Sequence, residues 1–323
     1  MKLNRIFELR VQEHESLDYV VIRPPMTVEF AIDRHSWASA SEANFKIYNL
    51  SETTRGKIFR DRYEVWEPTR PLDVEIKLPD GTVGTNRPGN VQFYAGYEHD
   101  DLGLSLLFNG QLLYGHSTRR GPDFVTELEC TDFSVNQYKS QSAQTLAAGV
   151  SKREVIESLY RDLGITGTVG PGYDEPVNNQ RGLVLQGDTM QLLRDITDGK
   201  WFSDLGIPIA MNDDEVINNP AFRDISPATG LINVPVKANN LVIATMMFTP
   251  QILVGQYVNL LPLAVTSDAS AVRGDYSGEY KVAGVKHNGI ISGTHDAQTV
   301  TTVSLMRLLA PPVFVSLTGG SNG

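Results

Sequence analysis

Cysteine and long apolar runs are scarce in this sequence of 323 residues. The single cysteine, Cys130, excludes an internal disulfide framework, and its place in an alternating run predicts a buried strand residue. No uncharged run is long enough to span a membrane, and the residues after Met1 lack the apolar core of a signal peptide. We therefore expect a chain that folds in a cytoplasm without a membrane anchor.

Positive charge is also scarce. The chain has 28 Lys and Arg against 38 Asp and Glu, a formal net charge of −10. Proteins that wrap nucleic acid need clustered Lys and Arg, because they gain free energy by releasing counterions from the phosphates. This balance argues against specific nucleic-acid binding, but it is compatible with the brief passage of DNA along an acidic wall.

Recognisable catalytic and metal-binding motifs are missing. The six histidines stand outside the arrangements that place two imidazoles on one metal ion. The glycines of residues 164–172 follow a predicted helix, whereas a phosphate-binding loop precedes one. Four other segments are candidates for metal, nucleophile or phosphate sites, but each has the wrong spacing or lacks a required residue. They are residues 98–101, 115–119, 199–201 and 212–215. We expect no catalytic residue, no cofactor and no metal site.

The first part of the chain has the pattern of β structure. Short runs rich in β-branched and aromatic residues alternate with turn residues up to about Phe133. Two dipeptides, Asp80-Gly81 and Asn109-Gly110, are hairpin signals, and the second is stronger because a type I′ turn favours Asn-Gly. We predict a barrel or a sandwich here and assign residues 1–139 to an N-terminal β-barrel domain.

One helix and one loop are expected between these strands. Ser51 is a favourable N-cap that follows a strand, so a short helix is predicted over residues 51–60. Residues 81–96 carry Gly, Pro and Asn at close intervals, which predicts a long exposed loop and a candidate contact surface.

Two helices are predicted in the middle of the chain. Ser151 and Glu154 form a capping box, and apolar residues follow at helical spacing until Gly164. Asp188 repeats the cap for a second helix, which ends at Gly199. Residues 201–211 then have the pattern of a strand pair, closed by a polar hairpin turn at residues 212–215. These elements predict a small α/β insert over residues 140–224.

Strands return in the last third of the chain. A turn opened by Pro250 and containing Gly255 leads into alternating apolar and polar residues up to position 260. The same alternation in residues 278–289 is interrupted at Gly284, where a bulge or a barrel bend is expected. Residues 298–306 are rich in β-branched residues and complete the set of strands.

The predicted fold class is mainly β with an α+β insert. Two small β-barrel domains, related by pseudo-symmetry, flank the helical α/β insert. The second barrel covers residues 225–315. Residues 316–323 lose all periodicity and are expected to form a flexible tail.

Aromatic residues and arginines occur together in the predicted loops. Interface cores are enriched in Trp, Tyr and Arg, so this mixture favours an oligomer. The residues are Trp37, Trp66, Tyr94 and Tyr97, beside Arg62, Arg70 and Arg87.

Four segments, residues 45–58, 108–115, 250–260 and 278–289, carry a resemblance to a known family. Their order and spacing are similar to those of the baseplate central hub of contractile-tailed phages. That family also covers the late-control D proteins and the hub part of type VI secretion spike proteins. The residues that match as structural motifs are Ile47, Tyr48, Asn49, Leu50, Ser51, Asn109, Gly110, Pro250, Gly255, Gly284 and His287.

The resemblance implies a structural virion protein that is not an enzyme. Each chain would contribute two similar barrels to a homotrimer, so that three chains present six barrel faces around a channel. Such a ring would adapt the sixfold tail tube to the threefold spike and would pass the tape-measure protein and then DNA. The implied partners are tail tube or tube-initiator proteins, a central spike protein on a separate chain, and other baseplate proteins, in a virion assembled in the host cytoplasm.

Two other functions remain open at this point. A tail-associated cell-wall hydrolase would need a cleft with coupled carboxylates, for which the sequence offers no motif. A carbohydrate- or receptor-binding β module would use the Trp and Tyr residues of the predicted loops.

Overall fold

The computed structural model describes residues 4–13, 18–37, 40–58, 75–77, 83–85, 89–99, 103–132, 140–177, 181–262, 276–292 and 299–317. Strands account for 53% of the structure and helices for 13%, so the prediction of a mainly β protein is confirmed. Within the described residues, no helix combines the length and the hydropathy that crossing a membrane requires.

Contacts divide the chain into two compact units, and each unit takes residues from distant parts of the sequence. The first unit comprises Met1–Asp33, Ala40–Asn136 and His287–Thr299. The second comprises Arg34–Ser39, Gln137–Lys286 and Val300–Gly323.

The first unit is built from strands and one short helix. Its elements are β1 (Arg5–Gln12), β2 (Tyr19–Ile22), β3 (Val28–His35), β4 (Glu42–Tyr48), α1 (Glu52–Ile58), β5 (Glu75–Lys77), β6 (Val83–Thr85), β7 (Asn90–Tyr97), β8 (Leu104–Arg120) and β9 (Asp123–Thr131). The last residues of β3 belong to the second unit.

The sheet of the first unit is antiparallel, in the order β3-β4-β9-β8-β7-β1-β2. Because side chains alternate between the faces of a strand, one face is apolar and forms the core. On that face Phe30 pairs with Phe45, which pairs with Leu128. The ring centre of Phe93 lies 5.0 Å from those of Phe30 and Phe45. Cys130 is buried on the same face, as predicted, and burial raises the pKa of its thiol.

The predicted turn at Asn109-Gly110 is wrong. The dipeptide lies within β8, where Gly110 pairs with Val91 of β7. A glycine is needed there because a Cβ atom would lie 2.2 Å from the carbonyl oxygen of Thr131. The hairpin between β8 and β9 turns instead at Gly121-Pro122, and Gly121 has the positive φ of +63° that a type II′ turn requires at its first central position.

The long loop expected over residues 81–96 is also wrong for its described part, which forms β6 and most of β7. Tyr94 and Tyr97 therefore lie on a strand and not on a loop. Strands β5 and β6 pair antiparallel, as the hairpin signal at Asp80-Gly81 predicts, but the dipeptide itself lies outside the described residues. The other predicted positions outside them are Arg62, Trp66, Arg70, Arg87, Phe133 and residues 318–323.

The second unit mixes helices with several small sheets. Its elements are β10 (Gln141–Leu146), α2 (Lys152–Asp162), β11 (Thr168–Val169), β12 (Leu183–Asp188), α3 (Thr189–Ile196), β13 (Trp201–Asp204), β14 (Ile207–Ala210), β15 (Glu215–Ile217), β16 (Asp224–Ile225), β17 (Val236–Ala238), β18 (Leu241–Met247), β19 (Tyr257–Leu260), β20 (Gly278–Ile291), β21 (Val300–Arg307) and β22 (Val313–Val315). From His287 onward β20 belongs to the first unit.

The two predicted helices are confirmed with their caps. The Ser151 hydroxyl accepts from the Glu154 N–H at 3.2 Å, and the Glu154 carboxylate accepts from the Ser151 N–H at 2.9 Å. In α3, Asp188 accepts from the backbone N–H of Gln191 at 2.8 Å. Gly164, with φ of +71°, follows the last turn of α2, as a helix stop requires.

The strand pair β13 and β14 is confirmed, but the turn predicted for it is wrong. These strands are joined at Leu205-Gly206, where both residues have positive φ. Residues 212–215 lead into β15, which pairs in parallel with β22 and not with β14. The buried Glu215 carboxylate explains the difference, because it accepts from the N–H groups of Asn212 and Gly172, each at 2.6 Å.

The main sheet of the second unit has the order β17-β18-β21-β20, with β19 pairing to β20 and β16 pairing to β19. One hydrophobic core joins this sheet to strands of the predicted insert, since Phe202 and Ile209 lie in the same cluster as Val258 and Leu305. The domain boundaries at residues 139, 224 and 315, and the pseudo-symmetry of two barrels, stay predictions.

Candidate assembly surface

The predicted motif residues of the first unit organise the chain after β4. Asn49 has a φ of +59°, and its side chain accepts from the N–H of Phe124 at 3.0 Å and donates to Asp123 at 2.9 Å. Ser51 caps α1 by accepting from the N–H of Thr54 at 3.1 Å. This segment therefore fastens the start of β9 to the start of the helix.

The neighbouring motif residues pack or bond locally. Ile47 and Leu50 are buried in the first unit. The hydroxyl of Tyr48 donates to the Glu29 carboxylate at 3.2 Å, and burial together with Glu29 raises the pKa of Tyr48. His287 is fully buried in the same unit.

The motif glycines of the second unit lie where a neighbouring side chain packs directly against the backbone. Pro250 opens a turn as predicted, and Gly255 follows with a φ of +83°. A Cβ atom on Gly255 would lie 2.5 Å from Cε of Met211. Gly284 lies under the indole of Trp37, where a Cβ atom would come within 2.8 Å of Cη2. Like those of the first unit, these residues serve individual turns and strand crossings, and the structure does not bring them together in one binding site.

The most distinctive surface of the second unit is the outward face of β17, β18 and β21. Strand pairing sets Val236 beside Ile243, and Ile243 beside Ser304. Since side chains alternate, every second residue points away from the core, and none of these outward side chains is charged. The open face, as we call it, comprises Ile232, Val236, Ala238, Leu241, Ile243, Thr245, Met247, Val300, Thr302, Ser304 and Met306.

The open face is accessible to solvent. Ile232 and Val236 are 51% and 63% exposed, and Met247 is 42% exposed, although all three are large apolar residues. Ala238 is also exposed, and the remaining residues of the face are half-buried by their neighbours in the sheet. A contiguous exposed surface that is uncharged and mostly apolar is a candidate interaction site, since apolar residues scattered singly over a surface are ordinary but a patch of them is not.

The sequence analysis missed the open face, although a signal was present. Residues 241–247 and 298–306 contain no charged residue. A strand with one face in water alternates apolar and polar residues, whereas a strand covered on both faces is continuously uncharged. The inward residues of β18 are Val242, Ala244 and Met246, so its remaining apolar residues needed a second explanation.

The outward face of the sheet in the first unit is charged instead. Glu29, Lys46, Glu127 and His116 lie side by side on β3, β4, β9 and β8. Lys46 donates to Glu29 at 3.0 Å, and His116 Nε2 lies 3.9 Å from Glu127. Arg120 donates to Glu127 at 2.5 Å. Opposite charges across strands stabilise a water-facing sheet surface, and we call this row the charged ladder.

A second charged group covers β1 on the same sheet. The Glu8 carboxylate accepts hydrogen bonds from Arg10 and Arg23. Burial alone would raise the pKa of Glu8, but the two arginines outweigh it and lower the pKa. Arg10 also lies 4.9 Å above the ring of Tyr94, a cation–π contact.

One ion pair of the second unit lies in its interior. Arg34 and Asp204 are 1% and 4% exposed, and Arg34 Nη1 donates to Asp204 Oδ1 at 3.0 Å. Arg34 also donates to the carbonyl of Ile252 at 2.7 Å, and Asp204 accepts from the N–H of Val254 at 3.1 Å. Burial raises the pKa of Asp204, against the opposing influence of Arg34 and Val254.

Lys281 is a further buried charge in the second unit. Its Nζ donates to the carbonyl of Asn212 at 2.6 Å. Burial lowers the pKa of Lys281 to about 8, although Asp213, Glu215 and Asp214 act in the opposite direction. The ammonium thus fixes the loop that precedes β15.

A cavity of about 800 Å³ lies at one end of the open face, bounded by Leu241, Met306 and Tyr280 and flanked by Lys237 and Arg307. Within the described part of the chain, no group of three or more His, Cys, Asp or Glu side chains could hold a metal ion. The fold is that of a mainly β protein, and the open face is its candidate assembly surface.

The family follows from the sequence. The family model described as baseplate hub gp41 matches residues 6–266, and the chain belongs to that family. This confirms the resemblance to baseplate hubs and supports a structural role in a phage tail baseplate. No curated protein matches the chain in sequence.

Solved structures of tail proteins share the fold. The 43 kDa tail protein of prophage MuSo2 from Shewanella oneidensis has a TM-score of 0.57 at 8% identity, over 94% of this chain and 98% of that one. The tail protein from Neisseria meningitidis MC58 has a TM-score of 0.51 at 9% identity, over 94% and 96%. The E. coli c3393 protein, a component of the type VI secretion system, has a TM-score of 0.49 at 8% identity, over 94% of this chain and 79% of that one.

Proposed function

We propose that this chain forms the central hub of a phage tail baseplate as a homotrimer. In this role three copies surround a channel, bind the sixfold tail tube on one side and the threefold spike on the other, and let the tape-measure protein and DNA pass. The observation that carries the proposal is the family match over residues 6–266. A ring with closed symmetry gives the same contact three times, which is what an adaptor between tube and spike requires.

Two properties of the chain support the proposal. The open face gives an apolar surface of the kind that oligomers bury. The net charge of −10 suits a channel that DNA passes without being held, because like charges repel along the wall.

The direct test is the mass of the purified protein in solution. We expect sedimentation equilibrium to give three chains of 35.6 kDa each, and negative-stain images to show a threefold ring with a sixfold outline. A monomer at micromolar concentration and moderate salt would contradict the proposed homotrimer, although it would leave the family membership intact.

The proposed role as a central baseplate hub also implies binding partners. We expect the chain to co-purify from virions with tail tube or tube-initiator proteins, a spike protein and other baseplate proteins. The alternatives, a cell-wall hydrolase and a carbohydrate-binding module, have no observation in the described residues that favours them. Clearing on a peptidoglycan zymogram would support the first, and binding to a glycan array the second.

A further inference from the structure

We infer that the open face is the surface through which one copy of the chain binds the next. This inference rests on the proposed self-association and assigns it to named residues. It does not depend on which baseplate proteins surround the hub.

The geometry of the sheet supplies the first step. The inward side chains of β18 and β21, such as Val242 and Leu305, fill the core of the second unit. The outward side chains then form a second, uncharged and mostly apolar layer on the same strands, with Ile243 near its centre between Val236 and Ser304. Nothing in the described chain covers Val236, which is 63% exposed. A sheet that is mostly apolar on both faces is stabilised in water when another layer packs on each face.

The charges identify the occupant. Copies of a chain with a net charge of −10 repel one another, so they associate best through a surface that adds no charge to the contact. The open face is such a surface, and interfaces between identical chains are apolar and depleted of charged residues at their centre. Nucleic acid is a poor occupant, because none of the outward side chains of the face is a Lys or Arg that could bind a phosphate.

Symmetry adds a constraint on the contact. In a threefold ring each interface is heterologous, so the open face of one copy meets a different patch on its neighbour. A single substitution on the open face therefore damages all three interfaces of a ring at once. Its effect on assembly is correspondingly large.

The test compares single charges placed on and off the open face. Ile243→Glu puts a carboxylate at its centre, and Ser304→Glu puts one on the adjoining strand at a residue that is already polar. Val184→Glu, on a residue of β12 that is 66% exposed and outside the face, is the matched control. Mass is measured by light scattering after size exclusion, and circular dichroism reports whether each variant is folded.

We expect Ile243→Glu and Ser304→Glu to weaken association by more than about tenfold, and so to yield folded monomers where the wild type and Val184→Glu are assembled. A third variant, Ile243→Lys, distinguishes repulsion between copies from the loss of an apolar contact. It makes the net charge less negative, so association would strengthen if repulsion alone limited it. If the contact is apolar, association weakens as it does in Ile243→Glu.

The outcomes separate the two proposals. A wild-type trimer that persists in both face variants overturns the assignment of the open face and leaves the trimeric hub standing. A wild-type monomer overturns the homotrimer itself. If Ile243→Glu fails to fold, the decision rests on Ser304→Glu, whose side chain replaces a polar one at the same outward position.

Discussion

The main sheets of the two units differ in their outward faces. In the first unit the outward face carries the charged ladder, which runs across four strands. In the second unit the outward side chains of β17, β18 and β21 are uncharged, and the charged Arg34, Asp204 and Lys281 are buried. Water solvates the charged side chains of the first face, whereas the mostly apolar side chains of the second are stabilised when another protein surface covers them. This difference in charge is the reason that the open face, and not the outward face of the first unit, is the proposed contact surface.

The largest expected effect comes from breaking the buried ion pair of the second unit. Arg34→Met leaves the Asp204 carboxylate buried without its guanidinium partner, and we expect a loss of about 3–5 kcal/mol in the free energy of unfolding. Urea denaturation of the purified chain measures it. The double variant Arg34→Met with Asp204→Leu removes both charges and should recover most of this loss. A double variant as unstable as the single one would show that packing around Arg34, and not the unpaired charge, is responsible.

A smaller effect is expected from pH, through Lys281. Below about pH 8 this lysine is charged in both the folded and the unfolded chain, and the cost of burying the charge is present in full. Between about pH 8 and 10.5 the unfolded chain holds more protons, so the free energy of unfolding rises with pH, by up to about 3 kcal/mol. We expect this rise in urea denaturation of the wild type and its loss in Lys281→Met. Lys237→Met, which removes an exposed lysine of the same unit, should follow the wild-type curve.

The smallest effect is expected on the charged ladder. Lys46 and Glu29 are each 35% exposed, and exposed pairs contribute at most about 1 kcal/mol. Lys46→Met should therefore cost less than about 1 kcal/mol, and the cost should shrink between about 0.05 M and 1 M salt because salt screens exposed charges. Lys57→Met, which removes a separate pair with Glu13, is the control for a charge outside the ladder. A cost above about 2 kcal/mol would mean that the outward face of the first unit is covered after all.

Local signals in the sequence predicted local structure well. The caps at Ser151 and Asp188 were found because a helix N-terminus is specified by residues three positions apart. Most strands were also located, because the alternation of apolar and polar residues is a pattern between near neighbours in the sequence. Asn109-Gly110 misled because its turn preference is weaker than the continuous pairing of β8 with β7 and β9, which Gly110 permits by lacking a Cβ atom.

The candidate surface and the buried ion pair could not be predicted, because they depend on contacts between residues that are far apart in the sequence. Arg34 and Asp204 are 170 residues apart in sequence, and nothing near either one predicts that both are buried. The open face needed the pairing of β18 with β21, which joins residues more than fifty positions apart. Uncharged runs could be seen in the sequence, but not the fact that they lie side by side.

The exchange of segments between the units also affects how the chain is made. The first unit needs His287–Thr299, so the part of the protein that leaves the ribosome first can be completed only when synthesis is almost finished. The second unit needs Arg34–Ser39, which leaves the ribosome long before the rest of that unit. A cut near residue 139 would leave both fragments incomplete. The N-terminal fragment would lack His287–Thr299, and the C-terminal fragment would lack Arg34, the partner of Asp204. Neither unit can therefore be expressed complete from a single uninterrupted segment of the chain.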